Sequence, residues 1–272
     1  MADTVLVRAE PRSFASLGDR GWLRRAVVLI ALTALWEAYA RHLASPLLLP
    51  SFSATLRALF ENVASGELPA RTAATLTVLG KGYALGVLVA GLLALVAITN
   101  RWGGELLNVL TAMFNPLPAV ALLPIALLWF GIGAPSLIFV IIHAVTWPLS
   151  LNVLTGFRGV PPTLRMVGQN LGLTGIRHAA LILIPAAFPS ILAGLKIAWA
   201  FAWRTLIAAE LVFGVGSRSG GLGWFIYVNR NQLETANVFA GLLVITLIGL
   251  IVESLLFRTV TRLTVERWGQ QD

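Results

Sequence analysis

Cysteine is absent from all 272 residues, and only three histidines occur, far apart in the sequence at His42, His143 and His178. Without cysteine there are no disulfides, no thiolate metal sites and no cysteine nucleophile. The histidines lack a neighbouring carboxylate cluster, so no metal site is expected. The chain also lacks a G-x-x-x-x-G-K-S/T motif, the loop with which many ATPases bind phosphate. We therefore expect no catalytic residue, no resident cofactor and no ATP site in this chain.

Charge is also scarce. Only 12% of the residues are charged, whereas 57% are hydrophobic and the mean hydropathy is +0.83. A soluble domain carries about 25% charged residues, so this composition predicts an integral membrane protein. The net charge of +8 is spread between apolar runs. An excess of arginine and lysine on the cytoplasmic side of membrane spans explains that pattern better than nucleic-acid binding.

Long apolar runs predict an all-α membrane protein with six transmembrane helices, because a helix needs about 20 mostly apolar residues to cross the hydrocarbon. Five runs satisfy this length, at about 26–44, 74–98, 134–155, 186–213 and 238–257. A sixth region, 105–131, is interrupted by Pro116, Pro118 and Pro124. We expect it to form a span that is either kinked or unwound near Asn115–Pro118, since broken helices are tolerated where they line protein or a cavity.

Two further local patterns concern the start of the chain. Between the first and second spans, Ser53 can cap a helix whose apolar stripe is typical of the membrane interface. The stripe consists of Leu56, Leu59, Phe60 and Val63. In the second span, four glycines near helical spacing predict close helix packing. They are Gly80, Gly82, Gly86 and Gly91.

If the chain crosses the membrane six times with both termini on the same side, its arginines are distributed very unequally between the two sides. One side receives Arg8, Arg12, Arg20, Arg24, Arg25, Arg101, Arg158, Arg165, Arg177, Arg258, Arg262 and Arg267, and the other only Arg41, Arg57, Arg71, Arg218 and Arg230. The arginine-rich side is predicted to be cytoplasmic. This arrangement predicts a cytoplasmic segment 1–25, a six-helix membrane domain 26–258 and a cytoplasmic tail 259–272.

The stretch 156–191 interrupts two apolar runs with arginines and paired polar residues. Pro161 and Pro162 can open a helix there, because a proline in the first turn loses no intrahelical hydrogen bond. Leu164, Val167, Gly168 and Leu171 then recur at i, i+3, i+4 and i+7 and define one apolar face. Gly172 suits a helix end. The stretch predicts a short amphipathic helix on the cytoplasmic side.

This stretch resembles the cytoplasmic "EAA" loop of binding-protein-dependent ABC importer permeases. Gly172 matches the loop glycine, and LILIPAAFPSI matches most of the second half of the motif. Met166, Val167 and Gly168 stand where Glu-Ala-Ala is expected, so a salt bridge from that glutamate to an ATPase is missing. PLPAVALLPIALLWFGIG and TLIAAELVFG are similar to the nitrate/sulfonate/taurine branch of these permeases.

The resemblance implies the membrane subunit of a type I ABC importer in the bacterial inner membrane, which is not itself an enzyme. It implies a second permease copy, two cytoplasmic ATPase subunits that bind ATP and Mg²⁺, and an extracytoplasmic binding protein. The substrate would be a small anion such as nitrate, taurine or an alkanesulfonate. By the same resemblance, the ATPase would contact a coupling helix within the loop 157–185. Its expected residues are Pro162, Leu164, Arg165, Val167, Gly168, Leu171 and Gly172.

Ionisable residues inside a span are costly, so each is a candidate for function. Lys81, Arg204 and Glu210 are the strongest, and Asn115 and His143 are polar positions that could line a pathway. Arg204 could bind an anion or pair with a neighbouring span. Glu210, six residues later, lies off the face of Arg204, and we expect it to have a structural or gating role.

Two other classes of protein remain open on the sequence. A secondary transporter or channel would work without an ATPase, but it predicts inverted repeats or more paired charges within spans. An intramembrane enzyme would need a catalytic constellation of His, Ser or carboxylate residues within the spans. Neither signature is present in the sequence.

Overall fold

The structure is a computed structural model that describes residues 21–99, 101–213 and 220–266, and regular structure in these ranges is entirely helical. The helices are α1 Gly21–Leu43, α2 Phe52–Ala64, α3 Glu67–Thr99, α4 Arg101–Phe114, α5 Leu123–Phe130, α6 Ala134–Arg158, α7 Pro162–Asn170, α8 Gly175–His178, α9 Ile184–Phe213, α10 Leu222–Asn231, α11 Thr235–Ile251 and α12 Arg258–Thr261. A 3₁₀ turn Ala119–Leu122 precedes α5. The segments Ala179–Leu183, Val252–Phe257 and Arg262–Glu266 are π-helical.

Five helical stretches are long and apolar enough to cross a membrane, and a bent helix pair makes a sixth candidate span. The five are Gly21–Leu43, Glu67–Ile98, Ala134–Arg158, Ala179–Val212 and Thr235–Thr264. The sixth joins Arg101–Phe114 to Ala119–Phe130 with a bend of 87°. The six regions and the all-helical fold agree with the sequence prediction.

The bent pair runs along the whole length of α6. In α4, Leu107 is buried in a small cluster with Ala97 of α3 and Leu154 near the end of α6. In α5, the carbonyl of Ala126 accepts a hydrogen bond of 3.0 Å from Ser136 Oγ at the start of α6. Because α4 and α5 contact opposite ends of one spanning helix, the broken pair covers the height of a span.

Helix α6 forms the centre of the bundle, packed between α3 and α9. Gly82 and Gly86 of α3 provide the close approach, since a Cβ at these positions would lie 2.7 Å from Ile141 Cγ2 and 2.6 Å from Val145 Cβ. Gly80 and Gly91 have no atom within 4 Å of such a Cβ. Against the described residues, two of the four predicted glycines, Gly82 and Gly86, therefore serve close packing.

Helix α2 is an amphipathic helix between the first two spans, as predicted, but the prediction of its cap was wrong. Ser51 is the N-cap residue and its Oγ accepts from the N–H of Ala54 at 3.1 Å. Ser53 instead donates through its N–H and its hydroxyl to the carboxylate of Glu37 in α1, at 3.0 and 2.9 Å. Glu37 also pairs with Arg41 at 2.7 Å. A carboxylate inside the first span thus ties α1 to the start of α2.

Candidate functional site

The break between α4 and α5 opens a cavity of about 480 Å³ in the membrane region of the bundle. Pro116 and Pro118 lack the N–H that a continuing helix needs, so α4 ends at Phe114 and the chain turns. Asn115, His143 and Arg204, three of the predicted pathway residues, all line this cavity. Its full lining is Asn115, Pro116, Leu117, Pro118, Ala119, Val120, His143, Ala144, Trp147, Pro148, Phe201, Arg204, Thr205 and Ala208.

Helix α9 contributes a stripe to this lining. Phe201, Arg204, Thr205 and Ala208 follow one another at i, i+3, i+4 and i+7, which places them on one face of the helix. Sequence reasoning found only Arg204 among them, although the spacing around that arginine contained the signal. The guanidinium of Arg204 makes no hydrogen bond or ion pair with the described residues.

An aromatic cluster stands beside the cavity on α4 and α6. Phe114 stacks on Trp147, with ring centroids 5.2 Å apart and planes inclined by 15°. His143 contacts both rings edge-on. Both imidazole nitrogens of His143 and the indole nitrogen of Trp147 are enclosed and have no hydrogen-bond partner among the residues that the structure describes.

Lys81 and Glu210, the other two predicted pathway residues, do not line this cavity. Lys81 is exposed on α3 and is not part of the cavity lining. Glu210 is 3% exposed and its carboxylate accepts hydrogen bonds from Gly223 N–H at 2.8 Å and from the Thr75 hydroxyl. This arrangement joins α3, α9 and the start of α10.

The glycines before α10 allow that junction. A Cβ at Gly221 would lie 2.1 Å from Thr75 Oγ1 and 2.3 Å from Glu210 Oε1, and one at Gly223 would lie 2.5 Å from Glu210 Cβ. Residues 214–219 lie outside the described part of the chain, and the glycines that follow them form this contact. Glu210 and Thr75 therefore hold the start of α10 against the bundle.

The predicted amphipathic helix is present as α7. It begins at Pro162 after Pro161, and it ends with Leu173 N–H donating to the carbonyl of Gly168 at 3.0 Å while Gly172 adopts a φ of +70°. This left-handed glycine is the usual way in which a helix of this kind stops.

The residues of the predicted apolar face of α7 differ in their contacts. Leu164, Val167 and Leu171 are 40%, 49% and 69% exposed. Gly168 instead turns inward, where a Cβ would lie 2.8 Å from Nε2 of His178. Arg165 donates to the carbonyl of Phe157 at the end of α6. The helix is thus anchored at Gly168 and Arg165, and the three apolar side chains around Gly168 remain exposed.

Comparison with known proteins decides the family. The family described as "Binding-protein-dependent transport system inner membrane component" matches residues 82–265, more than half of the chain. The chain belongs to this permease family. It is a multi-pass inner-membrane protein whose partners are an ATPase and a substrate-binding protein.

Individual relatives agree with this assignment. A putative ABC transporter permease protein of Methanocaldococcus jannaschii is 31% identical, over 85% of this permease and 88% of its own length. The taurine transport system permease protein TauC of Escherichia coli is 30% identical, over 82% of each chain. The nitrate import permease protein NrtB of Synechocystis is 28% identical, over 85% of each chain.

A solved structure confirms the fold. The crystal structure of an amino acid ABC transporter with histidines matches with a TM-score of 0.56 at 18% sequence identity, covering 77% of this permease and 98% of that chain. Permease subunits of this family are not enzymes, so the alternative of an intramembrane enzyme is excluded. A transporter that works without an ATPase is likewise disfavoured by the family.

Proposed function

We propose that two copies of this permease form the membrane pore of an ATP-driven importer for a small oxyanion of the nitrate, taurine or alkanesulfonate class. A binding protein delivers the anion from outside, and two cytoplasmic ATPase subunits bind ATP and Mg²⁺. The permease itself then holds no cofactor. The relatives named for taurine and nitrate support the substrate class.

The observation that carries this proposal is α7. It is a short helix outside the spans, anchored by Arg165 and Gly168, with the side chains of Leu164, Val167 and Leu171 exposed. Such an apolar stripe on a helix fits a groove of a partner protein. We propose that the groove belongs to the ATPase and that α7 is the coupling helix.

The distribution of arginine supports a cytoplasmic position for α7. With six spans, Arg101, Arg158, Arg258 and Arg262 would lie on the same side of the membrane as α7, and the segments on the other side carry fewer arginines. Cytoplasmic loops carry an excess of positive residues. Both termini would accordingly be cytoplasmic, and Gly221 and Gly223 would lie on the outer side.

Closure of the ATPase subunits on ATP would displace α7 and, through the short connection to α6, rock the spans against each other. Two facts favour transmission along this path. Arg165 bonds to the last turn of α6, and α6 is the helix that packs on α3 and α9. Movement of α7 is therefore passed to the centre of the bundle.

The test is uptake by liposomes that contain the permease together with the P-loop ATPase that co-purifies with it. Labelled taurine and nitrate are each offered with the binding protein, with ATP or with a non-hydrolysable analogue. The proposal predicts uptake of at least one anion with ATP and none with the analogue. Equal uptake without ATP, or uptake only of neutral and cationic solutes, would overturn it.

A further inference from the structure

The cavity at the helix break contains hydrogen-bond donors and no acid. Its lining includes the Arg204 guanidinium, the Asn115 amide, the Trp147 indole and the His143 imidazole, but no Asp or Glu among its fourteen residues. A guanidinium has five N–H donors and no acceptor, and an indole nitrogen can only donate. The cavity is therefore suited to a ligand rich in acceptors and carrying negative charge.

Arg204 lacks the counter-ion that a charge in a span normally has. An arginine inside a membrane span is energetically costly. It normally pairs with a carboxylate or with backbone carbonyls. Arg204 has no such partner among the described residues, although Glu210 lies on the same helix. Glu210 is fully engaged by Thr75 and Gly223. An anion in the cavity would supply the missing charge.

Enclosed donors beside the cavity point to the same ligand. In the described part of the chain, the indole nitrogen of Trp147 and the two nitrogens of His143 have no hydrogen-bond partner, although buried polar groups nearly always have one. An imidazole carries at least one N–H in either of its neutral forms. Trp147 and His143 both line the cavity, whereas Phe114, which stacks on Trp147, is not part of its lining. A rotation of either side chain within the cavity wall would present an unpaired donor to a bound anion.

We propose that this cavity is a binding site for a small oxyanion in transit, an inference that rests on the proposed function. Arg204 and Asn115, both exposed to the cavity, make the first contacts with the anion. The indole N–H of Trp147 and the imidazole N–H of His143 complete its coordination after these two side chains rotate toward it. A ligand shifts such an equilibrium only through contacts that differ between the two states. The donors that gain partners on this rotation provide that difference.

The test measures equilibrium binding to the purified complex of permease and ATPase in detergent, with no binding protein present. The probes are taurine and nitrate, and ethanolamine serves as the control that keeps the amine of taurine but lacks its oxyanion. Arg204→Gln removes the charge, and Trp147→Phe keeps an aromatic ring but removes the N–H. The matched control is Lys196→Gln on the same helix, because Lys196 bonds to Thr261 outside the cavity.

We expect saturable binding of at least one oxyanion, no binding of ethanolamine, and an affinity that falls about ten-fold or more in Arg204→Gln, as for a lost charge-assisted hydrogen bond. Trp147→Phe should weaken binding by a smaller factor, and Lys196→Gln should leave it unchanged. If Arg204→Gln does not assemble, Arg204→Lys replaces it, and weakened binding is again expected because the planar fork is lost.

Two results would overturn the inference. One is the absence of saturable oxyanion binding to the complex, which would show that the cavity is not an anion-binding site. The other is wild-type affinity in the Arg204 and Trp147 variants. If ATP-dependent uptake persists, either result would reject the binding site without contradicting the proposed importer function. Uptake that does not need ATP would instead refute the proposed function.

Discussion

The Thr75 hydroxyl of α3 lies 3.1 and 3.2 Å from the two carboxylate oxygens of Glu210 in α9, across 135 residues of sequence. Thr75 Oγ1 in turn accepts from the N–H of Leu222 at 2.8 Å, and Gly223 N–H donates to Glu210 at the same distance. One buried carboxylate thereby joins two spans and the beginning of α10. A cation takes no part in this network among the described residues.

Replacement of Glu210 by Ala should destabilise the permease. The change leaves the Thr75 hydroxyl and the Gly223 N–H buried without an acceptor, and each unsatisfied group costs about 1–3 kcal/mol. Glu210→Gln keeps one acceptor oxygen and should cost less. Thermal unfolding in detergent measures the difference, and Glu253→Ala, an exposed carboxylate of the last span, is the control. Equal stability of Glu210→Ala and the control would contradict this role.

The contact of α3 with α6 offers a matched pair of glycines. Gly86→Ala should destabilise the bundle by about 1–3 kcal/mol, the usual cost of overpacking, because its Cβ would lie 2.6 Å from Val145 Cβ. Gly91→Ala should be neutral or slightly stabilising, since nothing lies within 4 Å and alanine favours a helix. Detergent unfolding temperatures test the pair. An equal effect of the two variants would show that the helices do not meet at Gly86.

The end of α7 depends on one backbone conformation. Gly172 has a φ of +70°, and an alanine there would cost roughly 1–2 kcal/mol although it would meet no neighbouring atom. Asparagine tolerates this conformation better. We expect Gly172→Ala to make the loop 171–174 more susceptible to limited proteolysis, and Gly172→Asn to change it little. Identical cleavage of the two variants and the wild type would contradict the predicted strain.

Charge on the exposed face of α7 should separate ATP hydrolysis from transport. Leu164→Asp or Leu171→Asp places a carboxylate where an apolar contact with the ATPase is proposed, while leaving the spans untouched. We expect membrane insertion to be normal and ATP-dependent uptake to be lost. The matched control is Gln169→Asp, which adds the same charge to the opposite side of the helix. Normal uptake in the Leu164 and Leu171 variants would reject the coupling helix.

Local patterns in the sequence were sufficient for much of this fold. The start of α7 at Pro162, its stop at Gly172 and the break near Asn115–Pro118 follow from backbone properties of proline and glycine alone. The six apolar regions follow from length and hydropathy.

The remaining features depend on tertiary contacts between distant residues. Ser53 does not cap α2, because Glu37 of α1 engages it. Lys81 and Arg204 are both candidates because each is an ionisable residue inside a predicted span. Of these two, Arg204 lines the cavity and Lys81 does not. The difference arises because the packing of α3 and α9 on α6 decides which side of each helix is covered. The hydrogen bond that Thr75 donates to Glu210 likewise cannot be predicted from the local sequence around either residue.

The most direct test of the importer is a pull-down of the tagged, detergent-solubilised permease with identification of the proteins that co-purify. We predict a P-loop ATPase that is retained by Gln169→Asp and lost when Leu164 and Leu171 are both replaced by Asp. A permease that purifies alone and still moves taurine or nitrate into liposomes without ATP would contradict the proposed importer and its coupling helix.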